Sequence, residues 1–235
     1  MAFGAMVGWL TGYFINVMAE VVPGDARRAG SSRSTRLRLT VPAVIRCAQT
    51  FSVPESLRLN FMVESVTALL FAVIWSQSLS IFALTTQSLL GAFLILVAVI
   101  DLRYHLVLNI LIFPAMVLTL LGHMLTPGAN VVSALLGGAF GLAIFALAAF
   151  VRPGQLGGGD VKLATLIGLV FAFPSALWAL MVGVFVGGIA SIWLLTSQRA
   201  TAQSQMAYAP FLVFGALVAL LYNPVPLLMQ HFVGF

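Results

Sequence analysis

The sequence has very little charge. Only 7% of its 235 residues are charged, whereas 61% are hydrophobic, and a soluble domain carries about 25% charged residues. With so few charges, almost every helix must face lipid or another apolar helix. At about 20 residues per span, the length allows roughly seven to nine membrane spans. The composition therefore excludes a soluble domain and predicts an all-α, polytopic membrane protein with the lipid bilayer as its surroundings.

Cysteine and acidic residues are also scarce. The single cysteine, Cys47, allows neither a disulfide framework nor a cysteine-based zinc site, so we expect a reduced thiol and no metal. The chain has six acidic and eleven basic residues, which gives a net charge of +5. The basic residues lie between apolar segments rather than on one soluble face, and this arrangement argues against nucleic acid as a partner.

Eight apolar segments follow one another, and one long polar stretch interrupts them. The stretch 23–60 carries seven arginines and is predicted to be a basic loop inserted into a single membrane domain, residues 1–235. The first segment has no basic residue ahead of it and no small-residue cleavage signal behind it, which favours a retained span over a signal peptide. The predicted spans are 1–22, 61–78, 79–100, 106–125, 131–151, 161–173, 176–196 and 206–222, with the last interrupted by Pro210.

The distribution of basic residues predicts the orientation. All eleven lie in or beside the connections between spans 1 and 2, 3 and 4, 5 and 6, and 7 and 8, and the other three connections have none. Because cytoplasmic loops are enriched in Lys and Arg, we expect these four connections on the cytoplasmic side. Both termini are then expected outside.

This topology brings two aspartates to the same side of the membrane. Asp101 ends the third span, and Asp160 follows three glycines, residues 157–159, just before the sixth. A carboxylate at the membrane edge is costly unless it is paired or functional. Each also has a purely structural interpretation. Asp101 could pair with a nearby base such as Arg103, and Asp160 could be the N-cap of a helix that starts at Val161.

Two neighbouring aspartates can hydrolyse a peptide bond. Held within a few ångström they cannot both ionise easily, so they share a proton. One can then take a proton from water while the other donates one to a carbonyl oxygen. We therefore predict Asp101 and Asp160 as catalytic residues. Gly157 and Gly159 would let a substrate backbone approach, and Lys162 is predicted to contact the substrate or simply to mark the cytoplasmic side.

Two other polar residues lie in the first two spans. Asn16 continues a series of glycines, spaced by four from Gly4 to Gly12, along one face of the first span. Glu64 lies near the start of the second span. For both residues two interpretations stay open, packing between helices and lining of the site.

Several segments resemble one known family. The glycines with Asp160 resemble the GxGD signature of intramembrane aspartyl proteases, and the string GGGDVKL resembles the type IV prepilin peptidases (leader peptidase/N-methyltransferases). Four further stretches resemble other elements of that family and follow in the same order along the chain. They are residues 12–16 with Pro23, 58–64, 101–109 and 209–211. The resemblance therefore extends over most of the chain.

The resemblance implies a specific reaction. Such enzymes remove the basic cytosolic leader of a type IV prepilin or pseudopilin, after a glycine at the cytoplasmic face of the inner membrane, with Asp101 and Asp160 as the catalytic pair. Many members also methylate the new N-terminus with S-adenosylmethionine. Many carry two CxxC pairs that bind zinc in the first loop, whereas this loop is shorter and has only Cys47. Methyl transfer therefore stays open, and no zinc is expected.

Three alternatives remain at this stage. A presenilin-like protease would have its aspartates deeper inside long spans. A proton-coupled transporter using the same acids would show broken helices at mid-membrane and often an internal repeat. A catalytically inactive scaffold of a pilus or secretion machine is the third, and the presence of both acids with the glycine run argues against it. The particular pilin and the oligomeric state do not follow from the sequence.

Overall fold

The computed structural model describes residues 2–31, 57–77, 80–151, 157–196 and 208–225. Within these residues it contains eight helices, which we number in chain order. They are α1 (Ala2–Ser31), α2 (Leu57–Gln77), α3 (Ile81–Tyr104), α4 (Asn109–Leu125), α5 (Val131–Val151), α6 (Gly158–Phe171), α7 (Ser175–Thr196) and α8 (Ala209–Leu221). Five of them, α1, α2, α3, α5 and α7, are long and apolar enough to cross a membrane. The predicted all-α, multi-pass membrane architecture is confirmed.

Small residues face inward where helices pack, and large apolar residues face outward. On α5, Phe150 and Leu147 are exposed, whereas Gly137 and Gly141 are buried. A Cβ atom added at Gly137 would collide with the carbonyl oxygen of Gly168 on α6. Lipid is as apolar as leucine, so helices in a membrane associate by close packing rather than by hiding large side chains. This explains why the glycines lie at the α5–α6 contact.

The chain divides into two compact units, Met1–Tyr104 (unit 1) and His105–Phe235 (unit 2). In unit 1, α1 packs along α2, and α3 contacts both. In unit 2, α5 packs along α6 and α7 along α8, while α6 also contacts α4, α7 and α8. The side chains of Leu163, Leu166 and Ile167 on α6 are at most 1% exposed, so α6 is the centre of unit 2.

The α6 helix is short, and hydrogen bonds satisfy the backbone just after its C-terminal end. Its 14 residues span about 21 Å at 1.5 Å per residue, less than the roughly 30 Å of a bilayer's hydrocarbon core. It ends before Ala172, whose φ is 55°, and Pro174 follows. Non-helical backbone inside a membrane protein needs partners. Here the Phe173 N–H donates to the Ser133 carbonyl (2.8 Å), and the Ser133 hydroxyl donates to the Phe173 carbonyl.

Several boundaries differ from those predicted. The α1 helix continues past Pro23 to Ser31, and α2 begins at Leu57, so both helices extend into the predicted 23–60 loop. Ala and Arg, which favour helix, dominate residues 26–29 and account for the extension of α1. Pro210 is the second residue of α8 and does not interrupt it, because a proline in the first turn removes no helical hydrogen bond. Residues 32–56, with Cys47, lie outside the described residues.

Candidate active site

Asp160 lies inside the first turn of α6. The helix begins at Gly158 with Gly157 as its N-cap, so the prediction of Asp160 as the N-cap of a helix starting at Val161 is wrong. Instead Asp160 reaches back, and its Oδ2 accepts the Gly157 N–H at 3.3 Å. The residue is only 6% exposed. The free N–H groups at a helix start favour negative charge there.

The glycine run has one sterically required member. A Cβ atom at Gly159 would lie 2.6 Å from the Cβ of Val107, whereas one at Gly158 would meet nothing within 4 Å. Gly159 is therefore needed for the start of α6 to approach the segment before α4. This is a structural reason for glycine that sequence reasoning missed. Gly157 is exposed, and its contact with a substrate backbone stays a prediction.

Lys162 contacts α4. Its ammonium donates a hydrogen bond to Oδ1 of Asn109, at 2.8 Å, and lies 5.4 Å from the centre of the Phe113 ring. Asn109 is the first residue of α4. Lys162 therefore ties the beginning of α6 to the first turn of α4, and a contact with substrate stays a prediction.

Asp101 lies in the last turn of α3, in unit 1. Its side chain is 4% exposed, beside the buried Ile100. The helix ends at Tyr104, and His105 follows with φ 51°. At a helix end the free carbonyl groups disfavour negative charge. The two aspartates are thus both buried, but they lie at opposite ends of their helices.

A polar cluster joins the three helices of unit 1. Nη2 of Arg103 donates hydrogen bonds to Oδ1 of Asn60 (2.6 Å) and to Oδ1 of Asn16 (3.1 Å). The Asn16 amide in turn donates to the backbone carbonyl of Asn60 (3.2 Å). Asn16 thus contacts the residue two positions beyond Asp101. Sequence reasoning missed Asn60, although a polar residue directly before an apolar span was a usable signal.

Glu64 lies opposite Gly12, where α1 packs closely against α2. It is 8% exposed, and a Cβ atom at Gly12 would lie 2.7 Å from its Cα. A Cβ atom at Gly8, one helical turn earlier, would lie 2.8 Å from the Cα of Ala68. The glycine series is therefore confirmed as a packing stripe, and a role for Glu64 in the site stays a prediction.

Tyr208 precedes α8 in unit 2. Its ring packs against Phe145 and Phe211, with centroids 6.1 Å apart in each case, and its hydroxyl is 3.4 Å from the carbonyl oxygen of Val184. A Cβ atom at Gly187 would lie 2.8 Å from the ring. These contacts hold the start of α8, which carries the residues 209–211 noted above, against α5 and α7.

These observations describe a multi-pass membrane protein with two aspartates that are buried at helix ends, one in each unit. A family model described as the type IV leader peptidase family matches residues 88–192. This range contains both Asp101 and Asp160. The prepilin leader peptidase/N-methyltransferase of Bacillus subtilis (strain 168) is 30% identical over 71% of this chain and 68% of the relative. No solved structure matches. The chain therefore belongs to the type IV leader peptidase family.

Proposed function

We propose that this protein is a membrane aspartyl endopeptidase that removes the basic leader of a type IV prepilin or pseudopilin after a glycine. Membership of the leader peptidase family supports the cleavage of a leader peptide. One observation supports the aspartyl mechanism. Asp101 and Asp160 both lie within the family match and are both more than nine-tenths buried. Buried carboxylates in an apolar protein are retained for a function or for a partner.

The helix directions suggest a different role for each acid. Asp160, at a helix start, is proposed as the ionised carboxylate that takes a proton from water. Asp101, at a helix end, is proposed as the protonated acid that donates to the scissile carbonyl oxygen. The water oxygen bonds to the carbonyl carbon. When the C–N bond breaks, the proton held by Asp160 passes to the leaving amine, and Asp101 regains its own from the hydroxyl of the intermediate.

The proposed orientation puts both termini outside and the active site at the cytoplasmic face of the inner membrane. The segregation of all eleven basic residues to alternate connections supports it. A basic leader on the cytosolic side would then reach the site without crossing the membrane. The apolar helix of the pilin would remain in lipid, and the exposed Gly157 would face the backbone at the cleavage point.

Methylation of the new N-terminus is a second candidate activity. The relative from Bacillus subtilis is named a leader peptidase/N-methyltransferase, and this name favours a transfer from S-adenosylmethionine. We assign no residue to this reaction, and no step of the peptide hydrolysis depends on it. The expectation that the chain binds no zinc stays a prediction.

The test is cleavage of a peptide with a basic leader, a glycine and an apolar helix, read by product mass. Wild type should cut after the glycine. Asp101→Asn and Asp160→Asn should each lose at least about 100-fold in kcat, because general acid–base catalysis contributes about 10²–10⁴-fold. Asp25→Asn is the matched control, with the same chemical change outside the proposed pair, and should cleave normally.

Other outcomes separate the alternatives. Normal cleavage by either site variant would disprove the paired mechanism. A wild type that does not cut would favour the scaffold or the proton-coupled transporter. With S-adenosylmethionine present, a product heavier by one methyl group would establish the second activity.

A further inference from the structure

Each of the two aspartates is followed two residues later by a basic residue. Asp101 is followed by Arg103, and Asp160 by Lys162. In an α-helix two residues correspond to about 200° of rotation, so side chains at this spacing leave opposite sides of the helix. In both cases the base bonds to an asparagine on a neighbouring helix.

In unit 1 the base is held by two helices at once. A single guanidinium nitrogen of Arg103 bonds the side-chain oxygens of Asn60 and Asn16, at 2.6 and 3.1 Å. The Asn16 amide also bonds the Asn60 carbonyl at 3.2 Å, and Asn16 is 5% exposed. These three residues, which we call the arginine bracket, connect the last turn of α3 to α1 and α2.

In unit 2 the base is held by one helix. The Lys162 ammonium bonds the Asn109 side-chain oxygen at 2.8 Å, and the face of the Phe113 ring is 5.4 Å away. An aromatic face within about 6 Å attracts a cation. This pair, the lysine bracket, connects the beginning of α6 to the first turn of α4.

In both brackets an asparagine side-chain oxygen accepts a hydrogen bond from the base. A neutral oxygen holds the cation in place without adding a carboxylate near the aspartate. An added carboxylate would matter, because a neighbouring negative charge changes how readily an acid gives up its proton. The asparagines thus link the helices without adding a charge of their own.

We propose that Arg103 and Lys162 are positioning residues, whose brackets fix the rotation of α3 and α6 at the ends that carry Asp101 and Asp160. The proposal rests on the peptidase function proposed above. A misplacement of about 1 Å can cost about 100-fold in rate. Loss of a bracket should therefore lower kcat and leave KM nearly unchanged.

The kinetic test uses the lysine bracket, because it is a simple pair. Lys162→Met and Asn109→Ala should each lower kcat about tenfold, and the double variant should be no slower than either. Lys162→Arg keeps a donor for Asn109 and should restore most of the rate. Trp178→Phe is the matched control, since it removes another long-range side-chain hydrogen bond of unit 2, from α7 to the carbonyl of Tyr222 just after α8, at 3.1 Å.

Two kinetic outcomes would overturn the proposal. One is a severe loss in Lys162→Met with normal cleavage by Asn109→Ala, which would mean that the ammonium acts on the substrate directly. The other is a double variant that is slower by the product of the single effects, which would mean that the two residues act independently.

Amide hydrogen exchange in detergent provides a readout that needs no substrate. Residues 162–166 of α6 should exchange faster in Lys162→Met and in Asn109→Ala than in wild type, whereas α8 should be unchanged. Equal exchange in all three proteins would refute the bracket, whatever the activity. A wild type that cleaves no prepilin would refute the proposed function, and the exchange comparison would still decide the bracket.

Discussion

Asp101 and Asp160 are the same residue in similarly buried surroundings, yet the two units hold them in opposite ways. Asp101 ends a helix of 24 residues, and Asp160 begins a helix of 14. The free N–H groups of one helix and the free carbonyls of the other have opposite effects on charge, so helix direction contributes to a difference between these two chemically identical acids.

The two units also differ in how the helix is anchored. The α3 helix is braced at the aspartate end by the arginine bracket. The α6 helix is anchored at both ends. Its start is held by the lysine bracket and by the contact of Gly159 with Val107, and its far end by the His123 ring, 3.1 Å from the Leu169 carbonyl. A short helix needs both anchors because few turns are available to fix its direction.

Substitution of Gly159 should have the largest effect on the anchoring of α6 and on kcat. Gly159→Ala should push Val107 away, because a Cβ at 2.6 Å cannot be accommodated without movement, and overpacking of this kind costs about 1–3 kcal/mol. We expect kcat for prepilin cleavage to fall by about 100-fold with the displacement of Asp160. Gly158→Ala has open space at its Cβ and should cleave normally. Equal activity of the two variants would contradict the assigned contact.

The arginine bracket gives the matching test in unit 1, with a smaller effect. Asn60→Ala and Arg103→Met should each reduce kcat about tenfold, since the rest of the long α3 helix stays packed. Arg103→Lys should retain most of the activity, because an ammonium can also bond two oxygens. The measurement is kcat and KM for prepilin cleavage. A rise in KM with kcat unchanged would instead indicate that Arg103 binds the leader.

The far end of α6 should give the smallest effect. His123→Ala removes one hydrogen bond to the Leu169 carbonyl and should lower the free energy of unfolding by about 1 kcal/mol, with kcat nearly unchanged. Thermal unfolding in detergent checks the first part, and cleavage the second. A large loss of activity in this variant would show that the far anchor, and not only the lysine bracket, determines where Asp160 lies.

Much of the architecture could be predicted from the sequence, because span length and the glycine series are local signals. The start of α6 could not, since a run of glycines has no side chain that marks where a helix begins. The helix faces that pack against one another could not be predicted from the sequence either. Helices that are apolar on all sides show no amphipathic stripe from which to read them.

The arginine bracket was beyond prediction for a different reason. Asn16, Asn60 and Arg103 are far apart in sequence, and only tertiary packing brings them together. The spacing of each base from its aspartate was visible in the sequence, but the partner of each base was not.

The length of α6 has a consequence for the supply of water. Peptide hydrolysis consumes one water molecule, and hydrocarbon provides none. A helix that covers about 21 Å of a roughly 30 Å hydrocarbon layer leaves a hydrophobic mismatch, which membranes relieve by thinning or by drawing polar groups inward. For the proposed peptidase we expect such a mismatch to bring the aqueous boundary closer to the first turn of α6, where Asp160 would need its reactant.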